Sequence, residues 1–421
     1  MRDGTALWFA LFHVRAERDL MRKMVRLGLR VAGILAFAAV WQGPMGLAAQ
    51  TGTQQTPATA GISSRTPAPT QVKGTTNPAQ PAVVTPVDAG QISLDVTVTD
   101  KKGNPIPGLQ LQQKDFTLLD NGQPRELVGF NAVDTSADAN SVHLLIVVDM
   151  INARFDRIAY EREQLGEFLN QNGGKLPHPT AIAVMTDTTV KMMGGATQDG
   201  HALNESFRKV DTDMRIIGRD AGFYGRAERI ETSIEELRQI VAYEATQPGR
   251  NLVVVISPGW PMLALAGVEE DMQQRAWVFS VLEQLTDEIR MGHVALYSVD
   301  PMDLGRTDPF YYQAYLKPVK KAEQAEYPTL SLQVLAEHSG GRALTMGRDI
   351  LGEINAVVRD EGTYYKLTFD TKPADKPNEY HDLQVKVDRP ELVARTSAGI
   401  YEMVQPVGKK MERPSKIAKP Y

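Results

Sequence analysis

The stretch Ser141-Val-His-Leu-Leu-Ile-Val-Val-Asp149-Met-Ile-Asn152-Ala153 decides the fold. It is a near-continuous apolar run, rich in Val and Ile, that ends abruptly on a carboxylate. A run without polar alternation reads as a strand covered on both faces, as in a parallel sheet. Phe155, Ile158, Leu165, Phe168 and Leu169 then follow in a helix-like pattern. Strand, turn and helix in that order put Asp149 at the carboxyl end of a central strand, where open α/β sheets hold their ligands.

Working outward, the same alternation repeats. Apolar strands are expected at residues 144–148, 181–185, 252–256, 294–299 and 343–345. Helical patterns lie between them: Ile230, Ile234, Leu237 and Val241; Val278, Leu282, Leu285 and Ile289, stopped by Gly292; and residues 332–336 and 350–358. Residues 188–193 directly follow the second strand and are expected to return beside it as an antiparallel edge. The predicted fold class is α/β: a mostly parallel, doubly wound sheet with helices on both faces and one antiparallel edge strand.

On either side the period changes to two. Ile92, Leu94, Val96 and Val98 alternate with polar residues, which marks a half-buried strand. A strand at residues 116–119, the turn Asp120-Asn-Gly122 and a strand over residues 126–133 follow, and Asn-Gly favours the positive φ values of a tight hairpin. The alternation returns at Tyr365, Leu367 and Phe369, at Leu383, Val385 and Val387, and over residues 393–396. The N-terminal β module (91–134) is too short to be stable alone. It is expected to pair with the C-terminal β segment (361–404) into one small β-sandwich-like domain, with the α/β domain (141–360) inserted into it.

The ends carry targeting signals rather than core. Arg22, Lys23, Arg26 and Arg30 precede an apolar core at residues 31–41, and Gly46-Leu-Ala48 offers small residues for cleavage. Residues 1–49 are therefore expected to be a signal peptide, with Met21 or Met24 as a more natural start and an uncleaved anchor as the alternative. Residues 50–90, rich in Thr, Pro, Gln and Ala, read as a disordered spacer, and 405–421 as a basic disordered tail. The expected location is outside the cytoplasm, periplasmic or secreted, with no membrane span once the signal is removed.

Composition narrows the chemistry. The chain has 421 residues and no cysteine, which removes disulfides, thiolate metal sites and cysteine nucleophiles together. Its formal charge is −5, and leaving out residues 1–49, with seven basic and three acidic side chains, makes it −9. An acidic body argues against nucleic-acid binding. There is no Gly-x-Ser-x-Gly elbow, no His-Glu-x-x-His and no phosphate-binding Gly-x-x-x-x-Gly-Lys, so no enzyme is expected.

The Asp-ended first strand and the order of elements resemble a von Willebrand factor A domain. A closer resemblance is to exported bacterial von Willebrand A-related proteins. It rests on Val96-Thr-Val-Thr-Asp-Lys-Lys-Gly103, Asp115-Phe116, Asp120-Asn-Gly122, Asp149-Met-Ile-Asn152 and Ala398-Gly-Ile-Tyr401, and covers roughly residues 91–404. The resemblance implies a divalent cation, Mg²⁺ or Ca²⁺, held by an Asp-x-Ser-x-Ser loop, a Thr and a second Asp. Asp149 matches the first ligand. Ile151 and Ala153 stand at the serine positions, Ser257-Pro-Gly-Trp260 carries no second Asp, and residues 216–229 hold no Thr. What the resemblance then implies is a degenerate site, with Asp149, Asn152 and Asp220 as its candidate ligands and no cofactor expected. The alternative role for Asp149 is to cap the next helix or hydrogen-bond its own loop.

The loops at the carboxyl ends of the strands remain as a binding surface for another protein. Their aromatic and arginine residues are Arg154, Phe223, Tyr224, Arg226, Trp260, Phe310, Tyr311, Tyr312 and Tyr315, types enriched at protein contacts. Tyr311, Tyr312 and Tyr315 could instead pack their loop against the sheet. The expected function is an exported, non-enzymatic protein-interaction or adhesion module. The alternatives are cation-dependent adhesion through Asp149 and a secreted hydrolase.

Overall fold

The computed structural model describes residues 90–104, 106, 109–135, 142–153, 155–210, 222–260, 270–300, 310–344, 349–359, 362–370 and 379–402, with backbone alone at 155–157, 222–224, 226–227 and 402. The expected signal peptide, spacer and tail lie outside these residues, as do Arg154 and Asp220. No described helix is long and apolar enough to cross a membrane.

The fold is mixed α/β. Among the described residues its main sheet has seven strands: β5 (Val142–Asp149), β6 (Lys175–Met185), β7 (Val190–Met192), β8 (Thr197–Asp199), β9 (Arg250–Ile256), β10 (Val294–Val299) and β11 (Arg342–Leu344). The order is β11-β10-β9-β5-β6-β7, with β8 also beside β6. The pairs β5–β6, β5–β9, β9–β10 and β10–β11 are parallel, whereas β7 and β8 run antiparallel to β6. The second antiparallel strand, β8, went unread in the sequence.

Every residue of β5 is buried. Leu145 and Val147 face one core with Ile234 and Leu237 of α3 (Gly222–Glu244), Leu282 and Leu285 of α4 (Met272–Met291) and Leu335 of α5 (Leu332–His338). Leu144, Ile146 and Val148 face a second core with Leu165 and Phe168 of α1 (Phe155–Asn170), Leu203 and Phe207 of α2 (Gly200–Arg208) and Ile354 of α6 (Ile350–Arg359). Helices on both faces explain why β5 has no polar alternation: each side chain has an apolar layer to enter, worth roughly 1.5–3 kcal/mol per large residue. Polar ends set the helix limits. At α4, Asp271 accepts from the backbone N–H groups of Gln273 and Gln274 at 2.9 and 2.8 Å, and Gln274 reaches back to Asp271 N.

The flanking segments form two antiparallel sheets. One has the order β14 (Leu392–Arg395), β1 (Gln91–Asp100), β12 (Thr363–Asp370), β4 (Leu127–Asp134). The other runs β15 (Gly399–Glu402), β13 (Glu379–Val387), β2 (Phe116–Asp120), β3 (Gln123–Arg125). Each sheet mixes strands from before and after the α/β part: Leu94 pairs with Leu367, and Leu118 with Val385. One core joins them, through Leu94, Val96, Leu118, Leu367, Phe369 and Leu383. Phe116 lies 5.1 Å from Tyr365 and 5.9 Å from Phe130, ring centre to ring centre. Asn121 and Gly122 adopt φ of 50° and 77°, as the Asn-Gly turn requires.

Candidate functional site

The strand order turns about β5, since the chain moves from it to β6 on one side and then to β9, β10 and β11 on the other. The carboxyl ends of β5 and β9 are where such a sheet opens a crevice. Asp149 ends β5, and Ser257 directly follows β9.

Asp149 is 0% exposed. Its Oδ1 accepts from the backbone N–H groups of Ile151 and Asn152, both at 2.9 Å. Its Oδ2 accepts from Asn152 Nδ2 at 2.9 Å and from the Ser257 hydroxyl at 2.7 Å. A carboxylate offers about four lone-pair sites, and these four donors take them. The network continues outward. Asn152 Nδ2 also donates to Ser233 Oγ on α3 at 2.9 Å, and Gly259 N donates to Ser257 Oγ at 3.0 Å. Ile151 and Ala153 turn into the two apolar cores, so the loop presents no side-chain oxygen at either position.

Glu236 of α3 is a buried acid close to Asp149, 2% exposed. Neither of its carboxyl oxygens has a hydrogen bond of good geometry. Burial, then the negative charge of Asp149, pushes its pKa up to about 8; the Thr186 backbone amide works the other way and Asp187 adds repulsion. At neutral pH Glu236 therefore carries a proton, which lets two acids share this space. Thr186 closes the neighbouring loop, its hydroxyl donating to Thr189 O at 2.8 Å.

Among the expected metal ligands, the structure joins Asp149 and Asn152 directly, the asparagine amide donating to the carboxylate at 2.9 Å. Among the described residues no group of three or more His, Asp or Glu side chains is arranged to hold a metal ion. The expected contact residues need larger corrections. Trp260 is 3% exposed and belongs to the core under α3 and α4. Tyr311 and Tyr312, 9% and 5% exposed, pack edge to face against each other and against Val334, and the Tyr311 hydroxyl donates to Gln333 Oε1 at 3.1 Å. Their aromatic area is used inside the protein, so it is not a contact surface. Tyr315 is half-buried against the same cluster, and Phe310 is the exposed member. Phe223, Tyr224 and Arg226 stand in the first turns of α3, on a helix rather than the expected loop.

Ser233, Glu236 and Ser257 escaped the sequence reading. Ser233 and Glu236 sit three apart on the buried side of α3, among Ile230, Ile234 and Leu237. Two polar residues inside an apolar stripe were the available signal.

No family model matches the chain, and no curated protein matches it. Among solved structures the chain is similar to one described as "Crystal Structure of the SpRpn10 VWA domain", with 13% identity and a TM-score of 0.24, over 50% of this chain and 94% of that one.

Proposed function

We propose that the chain is an exported, non-enzymatic protein-binding module, built on a doubly wound A-type domain whose cation site has been replaced by an internal hydrogen-bond network. The observation that carries this reading is the full set of four donors on Asp149. A hard cation such as Mg²⁺ needs open oxygen ligands in near-octahedral array. Here the first ligand is spent on its own loop and on Ser257, and Ile151 and Ala153 supply no oxygen. Binding would then use loop surface directly, with Phe310 and Tyr315 as the partly exposed aromatics.

The test is a thermal melt of the full chain in EDTA and then with Mg²⁺, Ca²⁺ or Mn²⁺, beside Asp149→Ala. A ligand that binds only the folded state raises the midpoint by mass action. No cation should move it. A cation-dependent rise that disappears in Asp149→Ala would overturn the metal-free reading in favour of cation-dependent adhesion. Turnover of an ester, peptide or glycoside substrate would overturn the non-enzymatic one. Recovery of the protein from a cytoplasmic fraction with residues 1–49 intact would remove the export.

A further inference from the structure

A different set of polar groups meets at the opposite end of the main sheet. Arg250 opens β9 and Val294 opens β10, so both stand at the amino ends of their strands. There they meet β1 of the sandwich. Ser93 and Asp95 of β1, Arg250, Arg290 in the last turn of α4, His293 and Ser397 line a small cleft that opens to solvent.

The groups in this cleft are held in place. The Arg250 guanidinium lies over the Tyr364 ring at 5.1 Å, and the residue is 2% exposed. His293 has φ of 50°, uncommon for residues other than glycine, and its carbonyl accepts from Asn251 N at 2.9 Å. Its Nδ1 pairs with Asp95 Oδ2 at 3.0 Å, tying the sandwich to the α/β part. Burial works to raise the pKa of Asp95. The His293 hydrogen bond and charge, then Lys366 and Arg250, more than offset it, so the carboxyl stays below its ordinary range and is an acceptor at neutral pH.

Two atoms are left over. Asp95 Oδ1 is buried with no hydrogen-bond partner, and so is Arg290 Nε, whose Nη2 reaches Asp287 only at 3.5 Å. Buried polar atoms in folded proteins are nearly always satisfied, by protein, water or ligand. The leftover pair is one acceptor and one donor, set beside a second guanidinium and two serines. A simple cation would satisfy Asp95 and be repelled by the arginines. A proton-free anion such as sulfate would satisfy the arginines and turn a bare oxygen toward Asp95.

We propose that this cleft is a binding site for a small oxyanion that keeps a proton, of the class of hydrogen phosphate or bicarbonate. Its O–H donates to Asp95 Oδ1, and its other oxygens accept from Arg290 Nε, Arg250 and the Ser93 and Ser397 hydroxyls. The carboxylate is what discriminates: it accepts a hydrogen bond from a protonated oxyanion and repels one without a proton.

The experiment is a thermal melt and calorimetric titration of the full chain with sodium phosphate, sodium bicarbonate and sodium sulfate at matched ionic strength and neutral pH. Phosphate or bicarbonate should raise the midpoint saturably, and sulfate should not; the stronger of the two assigns the member of the class. Arg290→Gln, in a side chain that is partly exposed, should leave the circular dichroism spectrum unchanged and weaken binding roughly tenfold or more by removing a charged hydrogen bond. Asp95→Asn replaces the acceptor with an N–H, so sulfate should now bind about as well as phosphate. Equal shifts from phosphate and sulfate in the unaltered protein would overturn the proposal. So would the absence of a saturable shift with all three, which would leave the cleft to water alone.

Discussion

The two ends of the main sheet handle buried charge in opposite ways. At the carboxyl end Asp149 has all the donors it can use, and its neighbour Glu236 carries a proton. At the amino end Asp95 and Arg290 each keep a buried atom unpartnered in an open cleft. A satisfied network rigidifies a loop, whereas buried polar atoms without a protein partner are ones that folded proteins normally pair with water or ligand. The end that an open α/β sheet usually gives to ligands is the one whose carboxylate is fully hydrogen-bonded within the protein.

The comparison breaks most visibly at Asp149. Asp149→Ala strips the acceptor from two backbone N–H groups, an amide and a hydroxyl, and should lower stability by roughly 3–5 kcal/mol in urea unfolding. A loss under about 1 kcal/mol would mean the network is not the structural hub of that end.

Protonation sharpens the contrast. Glu236 has a folded pKa of about 8 against an ordinary 4.5, so the native state holds a proton that the unfolded chain releases. Its contribution is fully present below about pH 4.5 and is lost as pH rises toward about 8, at up to about 1.4 kcal/mol per pH unit. Glu236→Gln keeps the shape without the charge. It should flatten the stability curve between those limits and stabilise the protein by a few kcal/mol near pH 9. Parallel pH curves for the two proteins would exclude a proton on Glu236.

Ser257→Ala should cost about 1–3 kcal/mol, because Gly259 N loses its acceptor and Asp149 one donor. It should not create a cation response, since the apolar Ile151 and Ala153 remain. At the small end of the scale, Phe310→Ser, on the most exposed aromatic of the tyrosine-rich loop, should lower stability by about 1 kcal/mol. Loss of partner capture in that variant would place the contact surface there; unchanged capture would move the search elsewhere.

Much of the fold was legible because its signals are local. The Val- and Ile-rich run ending at Asp149 has to be covered on both sides, and Ile230, Ile234, Leu237 and Val241 mark a helix face by spacing alone. Helix α2 and strand β8 were missed: both are short, and β8 is defined by its place beside β6 rather than by a pattern of its own. Trp260, Tyr311 and Tyr312 were misplaced because an aromatic residue in a long segment looks the same whether it packs inward or outward. Only the neighbouring Val334 and Gln333, and the core under α3 and α4, decide between them.

The sequence by itself determined where Asp149 stands, that the chain has no cysteine, and that Ile151 and Ala153 after it offer no side-chain oxygen. Periodicity, composition and residue identity carry those facts without any knowledge of contacts. Tertiary structure alone decided that Ser257 and Ser233 close the Asp149 network, that Glu236 is buried beside it, and that Asp95 meets Arg250, Arg290 and His293. Asp95 and His293 are 198 residues apart, and Asp149 and Ser257 are 108 apart. Hydrogen bonding and desolvation act through space over a few ångströms, so pairings that distant in the chain exist only once the sheet and sandwich have folded.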